Sequence, residues 1–419
     1  MSEKIKAPRG TLDVLPADQP VRRRIEETAR ATLERAGYGR IDTPVFEVTD
    51  LFSRGVGAST EVVQKQMFTF EDQGGRSLTL RPEATAAVCR AYVEHGMQKL
   101  PQPVKLWCSG PFFRHERPQA GRYRQFTQID AEAIGSDSPL VDAELIVAAW
   151  DLIAALEVPG VTFSLGSLGS LEARGAYLDE LRGYLRGREG ELSEAVRERI
   201  ELNPLRAFDA ADEGTQAVMA DAPRLLDAIE GSDAEHFDEV RAHLDRAGVA
   251  YEVDPSMVRG LDYYTRTVFE IHCEELGAQS QVGGGGRYDG LIEELAGPPT
   301  PAMGWALGVE RIALALGEAP PAPREGVFIV ALEGSERERA MAHAFELRRA
   351  GIRTDLDLAE RSRRGQMKQA DRFGARHALV LEADATRLRD LESGEERDVD
   401  PRGLVEELRA AGAGGGASA

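Results

Sequence analysis

The chain has 419 residues, 42% hydrophobic and 29% charged, enough for two or three domains with substantial cores. No run approaches the roughly 20 apolar residues of a membrane span, and the opening MSEKIKAPRGTLDVLP lacks the apolar stretch of a signal peptide, so a soluble, cytoplasmic protein with no membrane partner is expected. A formal charge of −20 argues against a surface coated by nucleic acid, and three scattered cysteines, Cys89, Cys108 and Cys273, predict buried free thiols rather than disulfides or a zinc site.

Val21 to Ala36 places Val21, Ile25, Ala29, Leu33 and Ala36 near helical spacing and stops at Gly37. Arg40 to Val48 follows as an extended run whose Pro44 suits an edge strand. A long helix and such a strand can form a subunit interface, although plain packing is the commoner cause. Ser77 to Leu80 reads as a short strand, and Pro82 is expected to open a helix from about Glu83 to Glu94. Glu83 and Thr85 then stand at a helix N-terminus, where acidic residues complement the dipole.

Val104 to Glu116 and Gln125 to Gly135 are extended runs around a cation-rich loop, Arg117 to Arg124, which predicts an antiparallel hairpin. Alternation along the second strand sends Phe126, Gln128, Asp130 and Glu132 to one face and Thr127, Ile129, Ala131 and Ala133 to the other. A wet sheet face would explain polar residues there. An aromatic, an amide, two carboxylates and the nearby Arg114 and Glu116 together also suit a flat ring beside phosphates.

Leu140 to Leu156 is an apolar helix, and Leu168 to Ala250, dense in Arg, Glu, Leu and Ala, reads as a helical insertion. Strands return at Val249 to Val253 and Thr267 to His272. The four glycines of Val282 to Leu291 are expected to make a ligand-facing turn. Ala302 to Leu316 passes from strand to helix and puts Arg311 near the helix start, where free N–H groups attract anions. A proline-rich linker, Gly317 to Gly326, precedes alternating strands and helices from Val327 to Ala411, the pattern of a small α/β domain. Within it, Arg361 to Arg376 gathers six cations against one anion, Asp371, a basic patch on an acidic protein.

Six segments in order, PRGTLDVLP, LRPEAT, FRHERPQAGRYRQFTQ, RGLDYYT, GGGGRYDGL and AMGWALGVER, resemble the signature segments of the histidyl-tRNA synthetase family. The resemblance implies an α+β class II synthetase: an antiparallel-sheet catalytic core over 1–167 and 251–318, with a helical insertion at 168–250. It also implies a linker at 319–326, a C-terminal α/β anticodon-binding domain at 327–411 and a disordered tail at 412–419. The implied assembly is a homodimer meeting through the Val21 to Val48 pair. The implied reaction joins L-histidine and ATP into histidyl-adenylate and pyrophosphate, then moves histidine to the 3′ end of tRNA(His).

The residue roles are likewise those that the resemblance implies. Arg114 holds the α-phosphate and the histidine carboxylate, Arg259 stabilises charge on that phosphate during attack, and Arg311 binds the γ-phosphate. Phe126 stacks on adenine with Glu116 at its amino edge, while Mg²⁺ rides on the phosphates and no protein-held metal is expected. Glu83 and Thr85 approach the α-amino group with help from Gln128; Glu132 and Tyr264 meet the imidazole, and Tyr263 lines the pocket. Gln119 and Arg122 face the tRNA acceptor end, and Arg361, Arg364 and Lys368 face the anticodon arm. Two departures stand out: Ala84 where the family commonly has glycine, and Ala210-Ala211 where a Cys-Lys pair is expected. A non-catalytic relative, the regulatory subunit of ATP phosphoribosyltransferase, would lack the C-terminal domain and an intact RGLDYYT. A synthetase for proline or threonine would not explain Glu132 with Tyr263 and Tyr264.

Overall fold

The N-terminal periodic run forms the helix Gln19–Arg35, with Pro20 in its first turn and Ile25, Ala29 and Leu33 buried on one face. It belongs to a computed structural model that describes residues 4–57, 60, 62–317, 323–332 and 334–410. The chain divides into two compact units, Met1–Glu318 and Ala319–Ala419. The tail at 412–419 and residues 319–322 of the linker lie outside the described residues.

The first unit carries β1 (Gly39–Arg40), β2 (Phe46–Val48), β3 (Phe68–Glu71), β4 (Ser77–Leu80), β5 (Val104–Phe113), β6 (Gln125–Ile134), β7 (Val161–Ser167), β8 (Glu252–Val253), β9 (Thr265–Cys273), β10 (Gln281–Arg287) and β11 (Ala302–Gly308). Eight form one sheet in the order β1-β5-β6-β11-β10-β9-β7-β8, antiparallel except at its two edges, where β1 and β8 pair in parallel. The remaining three form a small sheet ordered β2-β4-β3.

The expected strand from Arg40 to Val48 is therefore split between sheets, with Pro44 in the gap, where a missing N–H interrupts no ladder. The expected hairpin is present as β5 and β6, paired from Val104↔Ile134 to Phe113↔Gln125. Ile129, Ala131 and Ala133 pack into the main core with the helices Gln19–Arg35 and Pro139–Leu156, and Gln128, Asp130 and Glu132 turn to the opposite face.

The expected glycine turn is instead a strand, β10, hydrogen-bonded to β9 on one side and β11 on the other. Space is the reason. A Cβ on Gly285 would stand 2.1 Å from the Gly304 carbonyl oxygen and 2.6 Å from Trp305 Cα, so side chains are excluded where the backbones close up. The helix expected from Glu83 begins at Thr85 instead, because Glu83 lies outside it and its carboxylate accepts from the Ala86 N–H at 3.0 Å. At the departure Ala84, φ is −94°, so the position makes no demand for glycine.

The stretch after β7 is helical, with Leu171–Arg186, Glu213–Ala220 and Gly231–Ala247 as its longer pieces, and it shares its apolar core with the sheet. Arg287, fully buried at the end of β10, ties these layers together. It clamps Asp142 of the helix Pro139–Leu156, and its Nη1 donates to the Ser136 carbonyl at 2.9 Å. From the opposite side, His236 of the helix Gly231–Ala247 meets Asp142 at 2.8 Å. Burial alone would raise the Asp142 carboxyl, but His236 and Arg287 outweigh it and hold it below the usual range.

The second unit contains β12 (Val327–Ala331), β13 (Thr354–Leu356), β14 (His377–Leu381), β15 (Thr386–Asp390) and β16 (Glu396–Asp398), ordered β13-β12-β14-β15-β16. The first three run parallel, and helices Gly334–Arg349, Arg363–Phe373 and Leu404–Ala410 complete the unit. β15 and β16 were not legible in the sequence, since TRLRD and ERD contain one buried leucine between charges. The three cysteines are free and buried. No helix among the described residues is long and apolar enough to cross a membrane.

Replacing Arg287 with alanine strands the Asp142 carboxylate in the interior and is expected to cost about 3–5 kcal/mol, read as a lower denaturation midpoint. Asp142 is depressed in the folded state, so the contribution is full above its unfolded value and fades as pH falls below about 4. The stability gap between wild type and Arg287→Ala should therefore narrow on acidification; a gap constant with pH would contradict this account.

Candidate active site

The polar face of the large sheet is the floor of a cavity of about 320 Å³, at the lower end of the ~300–1,000 Å³ usual for small-molecule sites. The floor is flat because of the registers. Asp130 pairs with Ala306, Ala306 with Gly284, and Gly284 with Glu270, so one row across four strands carries carboxylates at its ends and almost no side chain between them. The next row runs Glu132, Gly304, Gly286. A Cβ on Gly304 would lie 1.5 Å from Glu132 Oε2, so the Glu132 side chain rests where that glycine leaves room.

One end of the cavity is acidic and deeply buried. Glu83, Asp130 and Glu132 are 4%, 2% and 1% exposed. Burial pushes all three carboxyls above the usual range; at Glu83 the Ala86 N–H and Arg114 partly oppose it, and at Glu132 the hydroxyls of Tyr288 and Thr85 do. Thr85 Oγ1 donates to Glu132 Oε1 at 2.7 Å, and the Tyr288 hydroxyl donates to Oε2. Tyr263 packs between Tyr264 and Tyr288, with ring centroids 4.7 and 5.7 Å away, so an aromatic wall faces the acids. Glu83 Oε2 and Gln128 Oε1 are buried without a hydrogen-bond partner, two acceptors that call for donors from a ligand.

The other end is cationic. Arg114 donates through Nε to the Pro82 carbonyl at 2.9 Å and lies 5.4 Å from the Phe126 ring centroid. Arg259 is paired with Glu270, sits 5.2 Å from the Tyr264 ring, and keeps a buried Nε with no partner. Glu270 also meets His272 Nε2 at 3.1 Å. Arg122 reaches Glu116 at 2.9 Å, and Arg311 donates to the Gln281 carbonyl from the third residue of the helix Val309–Leu316. Burial and then the charge on Arg122 press the Arg311 guanidinium below its ordinary value, with Glu116 opposing, so two guanidinium groups stand close together here.

The structure thus brings Glu83, Thr85, Arg114, Glu116, Arg122, Phe126, Gln128, Arg259, Tyr263, Tyr264 and Arg311 around one cavity. Glu132 lies one layer behind that wall, covered by Thr85 and Tyr288. Arg122, expected toward a macromolecular partner, lines the cavity, while Gln119 is exposed at the loop tip and pairs with Arg122 through the backbone. Arg361, Arg364 and Lys368 belong to the second unit; Arg361 is engaged with Asp357, and Arg364 and Lys368 are exposed on successive turns of the helix Arg363–Phe373. Sequence reasoning missed Tyr288 and Glu270. Tyr288 stands inside GGGGRYDGL, but its hydroxyl contact spans 156 positions of chain. Glu270 carried a signal, a carboxylate between the apolar Phe269 and Ile271 of β9.

Comparison with known proteins identifies the family. A family model described as histidyl-tRNA synthetase matches residues 10–312, and an anticodon binding domain model matches residues 326–411. The histidine–tRNA ligase of Thermosynechococcus vestitus is 46% identical over 410 residues, 96% of each chain. That of Halothermothrix orenii is 42% identical over 97% of this chain and 99% of its own. Among solved structures, apo S. aureus histidyl-tRNA synthetase matches with a TM-score of 0.82 and 36% identity, covering 97% of this chain and 100% of that one. The chain belongs to the histidyl-tRNA synthetase family.

Proposed function

We infer that this chain activates histidine with ATP and transfers it to tRNA, and we propose how its residues divide the work. The observation that carries the reading is the split cavity: buried acceptors without donors at one end and crowded guanidinium groups at the other. Histidine supplies an ammonium and a ring N–H to the first, and ATP supplies phosphates to the second. The attacking group is the carboxylate of histidine itself, so the protein contributes alignment and charge stabilisation rather than a nucleophile.

Arg114, tethered to the Pro82 carbonyl, bridges the histidine carboxylate and the α-phosphate, and Arg259 neutralises charge that grows on that phosphate as the new bond forms. Its unpartnered Nε is available for this while Glu270 holds the guanidinium in place. Arg311 takes the γ-phosphate, Phe126 stacks on adenine, and Glu116 faces the adenine amino edge. Mg²⁺ enters as part of the substrate, on the ATP phosphates. Glu83 and Gln128 offer their free oxygens to the α-ammonium; the Thr85 proton is committed to Glu132, leaving its oxygen as an acceptor. Tyr264 and Glu132 meet the imidazole nitrogens, Glu132 once a ring N–H displaces one of its two hydroxyl donors. Such polar recognition rejects analogues lacking the group, because the buried partners are left unpaired.

For tRNA(His), Gln119 and Arg122 lie on the loop offered to the acceptor end, and Arg364 and Lys368 of the second unit are offered to the anticodon arm together with Arg361. A homodimer is supported by the small sheet, where Phe46, Val48 and Phe70 expose 51%, 52% and 44% of their surfaces, more apolar area than a solvated edge needs. A cytoplasmic location, where ATP and tRNA meet, completes the reading. The regulatory-subunit alternative finds no support in a chain that keeps both the RGLDYYT segment and the second unit.

Purified protein should catalyse histidine-dependent exchange of pyrophosphate into ATP; exchange supported by another amino acid, or none, would refute the assignment. In that assay Glu132→Gln is expected to raise the histidine Michaelis constant about 10- to 100-fold, the worth of one charge-assisted hydrogen bond, with the ATP constant little changed. Combining Arg364→Glu with Lys368→Glu should raise the tRNA Michaelis constant roughly tenfold and flatten its salt dependence, while pyrophosphate exchange stays constant; equal loss in both assays would remove the patch from tRNA binding. Sedimentation should report a dimer that Phe46→Asp with Val48→Asp converts to monomer, and an unchanged sedimentation coefficient would move the interface elsewhere.

A further inference from the structure

Asp130 lies in the cavity without an assigned task. It lines the acidic end, on the same face of β6 as Gln128 and Glu132 and about 7 Å along the strand from each. It is 2% exposed, and the hydrogen bond it receives comes from the weak thiol donor of Cys108 at 3.8 Å. Its cross-strand neighbours, Cys108 and Ala306, are too small to cover it. Arg81 and Arg114 attract it from a distance, while they donate hydrogen bonds elsewhere: Arg81 to the Pro111 and Thr43 carbonyls and the Thr43 hydroxyl, Arg114 to the Pro82 carbonyl. Burial, reinforced by the Glu83 carboxylate, pushes the Asp130 carboxyl well above the usual range, so this is an acid short of counter-charge.

Two further acceptors nearby share that deficit, Glu83 Oε2 and Gln128 Oε1, both buried and unpartnered. A primary ammonium brings one positive charge and three N–H donors, a match in number and in sign to two acceptors without donors and a carboxyl whose donor is a weak thiol. An imidazole ring brings at most two donors in opposite directions and fits such a group less well. We propose that Asp130 is a further substrate-binding residue of the amino-acid subsite, its carboxylate receiving one N–H of the histidine ammonium while Glu83 and Gln128 receive the others. This rests on the reading of the cavity as a histidine-activating site.

The test compares histidine with imidazolepropionate, the same molecule without its amine, on wild type and on Asp130→Asn. Histidine dissociation is measured by calorimetry and imidazolepropionate as a competitive inhibitor of pyrophosphate exchange. Loss of one charge-assisted contact should weaken histidine about 10- to 100-fold, while inhibition by imidazolepropionate moves less than about twofold, a difference a merely structural role for Asp130 would not produce. Equal weakening of both ligands, or no weakening of either, overturns the proposal. Asp130→Ser, smaller than the native side chain, takes the place of Asp130→Asn should the amide not fold, with the same two outcomes. Failure of the underlying reading looks different: the wild type itself would then show no histidine-dependent exchange.

Discussion

No side chain can be accommodated where β10 passes between β9 and β11, because a single added carbon at Gly285 would meet neighbouring backbone at 2.1 Å. The rest of the first unit depends on that exclusion. It flattens the sheet floor, it opens space above Gly284 and Gly304, and it lets the Glu132 carboxylate lie over Gly304 rather than project past it. At the end of the same strand, Arg287 closes the opposite side of the problem by clamping Asp142, which also holds His236 of the helical stretch. A strand with almost no side chains of its own is thus fixed by its last residue and by two ladders of backbone hydrogen bonds.

On this floor the charges are segregated. Three carboxyl groups are buried at one end beside a tyrosine wall, with acceptors on Glu83 and Gln128 left without donors, and arginines crowd the other, Arg122 paired with Glu116 and Arg259 with Glu270. In a low-dielectric cavity such deficits are costly and are offset when a ligand supplies the missing partners. A bipolar pair of ligands, an amino acid and a nucleoside triphosphate, offers donors to the buried acceptors and phosphates to the guanidinium groups, and brings its own reacting carboxylate to the boundary between them. The protein needs no nucleophile of its own under these conditions, only groups held still, and the tethers from Arg114 to Pro82 and from Arg259 to Glu270 hold them.

Much of this was legible in the residue order, for physical reasons that differ by element. The β5–β6 hairpin showed because two-residue alternation is local, and the same alternation correctly separated Asp130 and Glu132 from Ala131 and Ala133. The helix Gln19–Arg35 showed because Ile25, Ala29 and Leu33 repeat at helical spacing. The glycine run misled as to the turn for the converse reason: a residue without a side chain signals close approach, and that the approach is to two flanking strands, with Gly283 and Gly284 still lining the cavity, is set by chain far away. Tyr288 escaped notice because its partner, Glu132, sits 156 positions earlier. Strands β15 and β16 escaped because their apolar content is a buried Leu388 among charges.

By itself, then, the sequence determined the periodic elements, the polar face of β6, the basic run in the second unit and the order of the motif segments, since each is written in neighbouring residues. Tertiary structure alone decided that those motifs converge on one cavity, that Glu132 withdraws behind Thr85 and Tyr288, that the exposed Arg122 also reaches the cavity, that Glu83 and Gln128 keep oxygens without donors, and that Asp130 is buried with a weak thiol donor. Burial and the absence of a partner are properties of three-dimensional neighbours, and no local pattern of residues encodes them.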